Sequence, residues 1–250
     1  MLSSFPICDE VKQALKDETV QVGASTLLAG LLPLHFPIHD SDGNCIVIEF
    51  TDGKAMVYNN PVSVLTNQPE FPWHLENLRN YTSLSPYDAN EATFNGYAVT
   101  QTGHGSGLSG LPGDPPPPSR FVRATVMTSF AAPVTTLDAG THLAFHIVNT
   151  VDIPKGLVAC NQANKSILPD IDYTQWVAVR DAAREIYSVR FYQSQQVRPI
   201  NLTELKQSGP LDELNGMIVP FASNGFGNMT SEELGATEIP KSVADLPRNN

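Results

Sequence analysis

The chain has 250 residues, 41% of them hydrophobic, and a formal net charge of -11. That is enough apolar content for a sizeable core, while the acidic balance argues against nucleic acid, whose phosphates need clustered Lys and Arg. No apolar run approaches the ~20 residues of a transmembrane helix, and residues 1–7 lack the basic region and apolar core of a secretory signal.

In chain order, residues 8–16 read as a short amphipathic helix, with Asp9 and Glu10 in its first turn and Val11 and Leu15 on one face. Residues 45–50 are a β-branched apolar run, Asp52-Gly53 is a hairpin turn signal, and 54–58 alternates again, so two antiparallel strands follow, closed by Asn60-Pro61. Residues 62–65 read as a short buried strand that delivers Thr66-Asn67-Gln68-Pro69 to its end, a usual place for chemistry. From Phe71 the period becomes helical, with Trp73, Leu75, Leu78 and Tyr81 near one face.

A long loop is expected over 85–118. Gly105, Gly107 and Gly110 match G-x-G-x-x-G spacing, but the stretch runs into Leu111-Pro112-Gly113-Asp114 and four prolines instead of opening a helix directly, so the match to a dinucleotide fingerprint is weak. Residues 115–118 read as a stiff polyproline segment leading into a helix. Ser119 is the expected N-cap of a helix over 120–130, with Phe121, Val122, Ala124 and Val126 inward. A second helix covers 135–149. It carries His142 and His146 at i and i+4, a spacing that could suit a metal, yet no Glu lies between them and no third ligand is near, so both read as structural. Residues 173–180 and 186–192 form a second hairpin around a turn at 181–185, and the polar stretch 223–250 reads as a peripheral tail. Cys8, Cys45 and Cys160 are far apart, so neither a disulfide framework nor a zinc site follows. Hairpins at both ends with helices between them give an α+β class in one domain, 1–250.

Ordered blocks within 33–81 also resemble a known family. Pro33-Leu34-His35-Phe36, the strand 46–50, Tyr58-Asn59-Asn60-Pro61, Leu65-Thr66-Asn67-x-Pro69 and Asn77-Leu78-Arg79-Asn80-Tyr81 are similar to the middle of the choloylglycine hydrolases, the group of penicillin V acylases and bile salt hydrolases. Gly110 to Asp114 and Ser119-Arg120-Phe121-Val122-Arg123 extend the match. The resemblance implies a four-layer αββα sandwich of the N-terminal nucleophile hydrolase type, of which this chain would be an incomplete, C-terminal portion. It implies hydrolysis of linear amides by an amino-terminal cysteine whose α-amino group accepts the proton, with no cofactor and no metal.

Two site residues carry over. Asn67 matches the oxyanion-hole asparagine, and Arg120 matches the arginine beside the nucleophile, where a cation favours the thiolate. Arg123, one turn on, reads instead as a solvated or salt-bridged helix residue. Residues before Pro33 do not resemble the family's nucleophile segment. The expectation is therefore a truncated form inactive alone, Cys8 being ill placed as the nucleophile because it opens a helix where the family has a strand. A non-catalytic ligand-binding relative and an unrelated hydrolase using His104, His142 or His146 are the alternatives. The implied partners are small amides, namely penicillin V, conjugated bile salts or N-acyl homoserine lactones, with neither nucleic acid nor membrane. A homo-oligomer is in keeping with the family, and residues 149–154 lie nearer the acylases of Gram-negative type, which implies a periplasmic or secreted full-length enzyme.

Overall fold

Three strands, β1 (Phe36–His39), β2 (Cys45–Thr51) and β3 (Lys54–Asn59), form an antiparallel meander with β2 in the middle. The computed structural model describes residues 5–20, 34–52, 54–160, 170–207, 217–218 and 237–238. It divides the chain into two units, Met1–Pro133 and Val134–Asn250.

In the first unit, β2 is buried along Cys45, Ile46, Val47, Ile48 and Glu49 because both of its faces are covered. Ile46 and Ile48 pack with Ile38 of β1 against Cys8 and Val11 of helix α1 (Cys8–Lys16), with Leu15 and Val57 at the margin. Val47, pointing the other way, meets Phe71 of helix α2 (Phe71–Asn77) and Phe121 of helix α3 (Pro117–Phe130). The two phenylalanines contact edge to face at 6.2 Å and 70°, and losing either ring from so closed a site costs about 3–5 kcal/mol. The turn between β1 and β2 is organised by Asp40. Its carboxylate accepts from the Asp42 and Asn44 backbone N–H groups at 3.1 and 2.8 Å and from the Cys8 N–H at 3.1 Å. The Ile7 side chain before α1 cannot cap the helix, and Asp40 does so from the sheet.

Several expectations change here. Residues 62–65 are not a strand. Asn60 is 4% exposed and supplies the hydrogen bonds itself: its Oδ1 accepts from the Val62 N–H at 3.2 Å and its Nδ2 donates to the Val64 carbonyl at 3.0 Å. Helix α2 buries Phe71 and His74 with Leu75 and Leu78 half-buried, whereas Trp73 is exposed, and residues 78–81 tighten into a 3₁₀ turn. The loop 85–118 contains a small exposed hairpin, β4 (Ala92–Phe94) and β5 (Tyr97–Val99), and a 3₁₀ turn at Ser106–Leu108. The glycine spacing there has a local cause: Gly105 sits at φ 88°, and a Cβ on Gly107 would stand 1.8 Å from the Tyr87 carbonyl oxygen. Helix α3 starts at Pro117, two residues before Ser119, since prolines at its first positions need no N–H acceptor. Arg123 is buried at 7% exposure and clamps the preceding loop, its Nη1 donating to the Pro112 and Asp114 carbonyls at 2.5 and 3.3 Å.

In the second unit, helix α4 (Leu137–Asn149) begins at Thr136, whose Oγ1 accepts from the Ala139 N–H at 3.2 Å. A short pair, β6 (Val158–Cys160) with β7 (Asp170–Asp172), precedes an antiparallel sheet of β8 (Trp176–Asp181), β9 (Ile186–Phe191) and β10 (Ser194–Asn201). The expected hairpin is β8–β9, and β10 adds an edge strand to it. Helix α5 (Leu202–Gln207) and the pair β11 (Met217–Ile218) and β12 (Thr237–Glu238) complete the described elements. The tail expected over 223–250 lies outside the described residues apart from 237–238. Arg190 of β9 is 5% exposed and donates through Nη2 to Asn149 Oδ1 at 2.7 Å and to Asp152, and through Nη1 to Gln195 Oε1 at 3.1 Å.

Candidate active site

Asn67 and Arg120, 53 residues apart in sequence, meet in the first unit: Arg120 Nη2 donates to Asn67 Oδ1 at 2.9 Å. A guanidinium has no acceptor, so the amide oxygen must face it, and the Asn67 NH₂ is turned away from the cation as a donor. Arg120 is itself aimed by the start of α3. Its Nε donates to the Pro115 carbonyl at 2.9 Å and its backbone N–H to the Pro116 carbonyl at 3.0 Å. The pair is reachable, with Asn67 exposed and Arg120 half-buried.

Beneath it lies a polar group that the helical pattern of 71–81 missed. The His74 ring is fully buried, with Nε2 2.9 Å from the Asn67 carbonyl oxygen and 3.4 Å from Thr66 Oγ1. Thr66 donates its hydroxyl to the Pro117 carbonyl at 3.3 Å. Phe71, His74, Leu75 and Leu78 stand at i, i+3, i+4 and i+7, a helical stripe in which the histidine occupies a core position. Glu49, 5% exposed, accepts the Phe71 N–H at 2.8 Å through Oε2 and so caps α2 from β2. His35 is half-buried, and its pKa is lowered by burial first, with His74 acting in the same direction and Glu49 opposing.

The other candidates are not assembled in this way. Cys8 is 2% exposed, its thiol faces the Ile38 and Asn44 carbonyls at 3.5 and 3.6 Å, and burial followed by the Asp40 charge raises its pKa. Cys45 is pushed up to about 11, chiefly by burial. Both shifts oppose thiolate formation, so neither thiol is poised as a nucleophile. His104 pairs at 2.8 Å with Asp88 on an exposed loop, and His142 and His146 are exposed on α4. Among the described residues no three His, Cys, Asp or Glu side chains form a metal-binding group.

The arrangement can supply one oriented amide donor beside a fixed cation, the two elements that an oxyanion and a thiolate call for. Comparison with known proteins agrees with the ordered blocks. The family model of linear amide C–N hydrolases, choloylglycine hydrolase family, matches residues 1–216. Conjugated bile acid hydrolase of Lactobacillus acidophilus is 34% identical over 202 residues, 80% of this chain and 62% of that protein. Bile salt hydrolase/transferase of Clostridium perfringens is 31% identical over 210 residues, 84% of this chain and 62% of that protein. A crystal structure of a variant of conjugated bile acid hydrolase from Clostridium perfringens superposes with a TM-score of 0.62 at 29% identity, covering 80% of this chain and 59% of that one. Penicillin V acylase from Agrobacterium tumefaciens gives 0.60 at 22% identity over 80% and 53%, a likeness of fold. The chain thus spans about six tenths of the length of these curated relatives, 62% in both cases. Its fold is the α+β fold of the N-terminal nucleophile hydrolases, and the chain belongs to the choloylglycine hydrolase family of linear amide C–N hydrolases.

Proposed function

We propose that this protein hydrolyses a linear amide in a small molecule, and that Asn67 and Arg120 are its oxyanion donor and its thiolate-favouring cation. The observation that carries this is the Arg120 Nη2 to Asn67 Oδ1 hydrogen bond, because it turns the amide NH₂ away from the cation as a donor. In the family's chemistry a cysteine thiolate adds to the amide carbonyl carbon. Negative charge builds on the carbonyl oxygen, where Asn67 Nδ2 donates. The C–N bond then breaks as the nucleophile's α-amino group, having taken the thiol proton, passes it to the leaving nitrogen, which leaves an acyl-enzyme and a free amine. Water cleaves the acyl-enzyme. Cys8 and Cys45 are buried with raised pKa values, so this reading gives the described residues the supporting part of the site and places the nucleophile elsewhere in the working enzyme. Conjugated bile salts are the first substrates to try, since relatives at 31–34% identity are bile acid or bile salt hydrolases by name. Penicillin V and N-acyl homoserine lactones share the amide and follow.

The test is hydrolysis of glycine- and taurine-conjugated cholate and of penicillin V by the purified chain, with and without a separately supplied N-terminal segment of the Clostridium perfringens hydrolase. Turnover that drops ~10²- to 10³-fold in Asn67→Ala is expected. Turnover unaffected by Asn67→Ala would overturn the assignment. A folded chain that binds these amides and never cleaves them would favour a non-catalytic ligand-binding relative.

A further inference from the structure

We infer that His74 is a positioning residue that holds Asn67 and Arg120 in one geometry, an inference that rests on the amide-hydrolase reading above. One face of the His74 ring stacks on Phe121 with centroids 4.7 Å apart at 21°, and Trp73 meets it edge-on at 5.5 Å. Phe121 is the chain neighbour of Arg120 in the first turns of α3. The ring edge, through Nε2, faces the Asn67 carbonyl at 2.9 Å. Since that oxygen can only accept, the proton sits on Nε2. Holding this carbonyl fixes the peptide plane after Asn67 and with it the direction of the Asn67 side chain. Thr66, also in reach of Nε2, ties the same segment to the Pro117 carbonyl at the start of α3. A closed circuit results: His74 to Asn67, Asn67 to Arg120, Arg120 along α3 to Phe121, and Phe121 back to His74.

The second ring nitrogen makes the case for a task beyond packing. His74 Nδ1 is buried with no hydrogen-bond partner among the described residues. A phenylalanine would fill the same stacked slot without burying an unmatched nitrogen. What the imidazole adds is the Nε2 contact to Asn67, whose side chain does the chemistry in this reading.

The experiment compares His74→Phe, which keeps the stack and removes the N–H, with His74→Gln, whose carboxamide N–H reaches toward the place of Nε2. Both are made in the chain supplied with the N-terminal segment, beside Asn67→Ala. The expected result is a kcat for His74→Phe lower by ~10- to 10²-fold with KM within about twofold, and substantial recovery in His74→Gln, as displacement of a catalytic group far outweighs loss of binding. Near-UV circular dichroism and the unfolding midpoint establish that the variants are folded. Wild-type kcat in folded His74→Phe, or no recovery in folded His74→Gln, overturns the positioning role. Full activity in Asn67→Ala overturns the amide-hydrolase assignment of the site instead, while loss there beside full activity in His74→Phe overturns the positioning role alone. Long-range ¹H–¹⁵N spectra of the wild-type chain give a reading independent of turnover and of variant folding: a proton on Nε2 supports the strut, and a proton on Nδ1 overturns it.

Discussion

The two units of the chain hold their charged side chains in different ways. In Met1–Pro133 much of the holding falls to backbone groups: Glu49 takes the Phe71 N–H, Arg123 the Pro112 and Asp114 carbonyls, and Arg120 Nε the Pro115 carbonyl while its Nη2 reaches the Asn67 side chain. In Val134–Asn250 side chains take more of that part. Arg190 reaches Asn149, Asp152 and Gln195, and Arg184 bridges Asp138 and Asp181 at 2.6 Å each. A backbone carbonyl cannot turn away without moving the chain, whereas a carboxylate can choose another rotamer. Under the proposed function, in which Asn67 donates to developing charge, a unit held largely by backbone groups suits a donor whose surroundings must not rearrange.

Substitutions sharpen this contrast. The largest effect is expected from Phe121→Ala, which empties the aromatic contact common to Phe71 and His74 and should lower the unfolding free energy by about 3–5 kcal/mol in urea titrations. A loss below 1 kcal/mol would mean that the first unit is not held by this cluster. Arg190→Met should cost about 2–3 kcal/mol by leaving Asn149 and Asp152 without their shared donor. Arg184→Ala, at an ion pair open to solvent, should cost less than Arg190→Met, and its cost should fade as salt is added. If the two arginines cost alike at all salt concentrations, burial is not what separates them. Arg79→Ala, on the exposed pair with Glu76, should change stability by at most ~0.5 kcal/mol.

Acid provides a different cut. The folded His35 binds its proton less readily than the unfolded one, so stability should begin to fall as pH drops below ~6.5. Asp40 works lower down. The Cys8 N–H above all, and then Asn44, hold its carboxyl well below the usual range, so its contribution is complete above ~3.9 and lost as pH falls further. Urea midpoints measured across pH should fall in both windows, with His35→Gln flattening the upper and Asp40→Asn the lower. A wild-type profile flat from pH 7 to 3 would remove both assignments.

Much of this architecture could be read from the chain because local signals agreed with one another. The β2–β3 hairpin had alternation and a turn that needs a positive φ, and Asp52 adopts one at 51°. Helix α4 was expected over 135–149 and runs Leu137–Asn149, its start fixed by the Thr136 cap. Residues 62–65 misled because an apolar run reports burial and not pairing: Val62, Val64 and Leu65 do pack on the core, but a single amide, that of Asn60, replaces a partner strand. Strand β10 gave little signal. It is polar and holds Pro199, which an edge strand tolerates.

At the site, Asn67 and Arg120 stood out through their motifs, while their mutual hydrogen bond depends on a fold that brings together residues 53 positions apart. His74 escaped notice because a polar residue in a helical stripe reads as solvent-facing until its neighbours show that it is enclosed. Arg123 was misjudged on the same ground.

The Asp40 carboxylate is also a latch between α1 and the sheet. When protonation weakens its hold on the Cys8 N–H, the helix loses the acceptor that begins it, and the face it covers is Ile38, Ile46 and Ile48. Exposed apolar β-branched residues on a three-stranded sheet are a template for intermolecular pairing. Brief storage at low pH should therefore convert this protein to aggregates before it unfolds globally, and the handling condition to control is the acidity of the buffer.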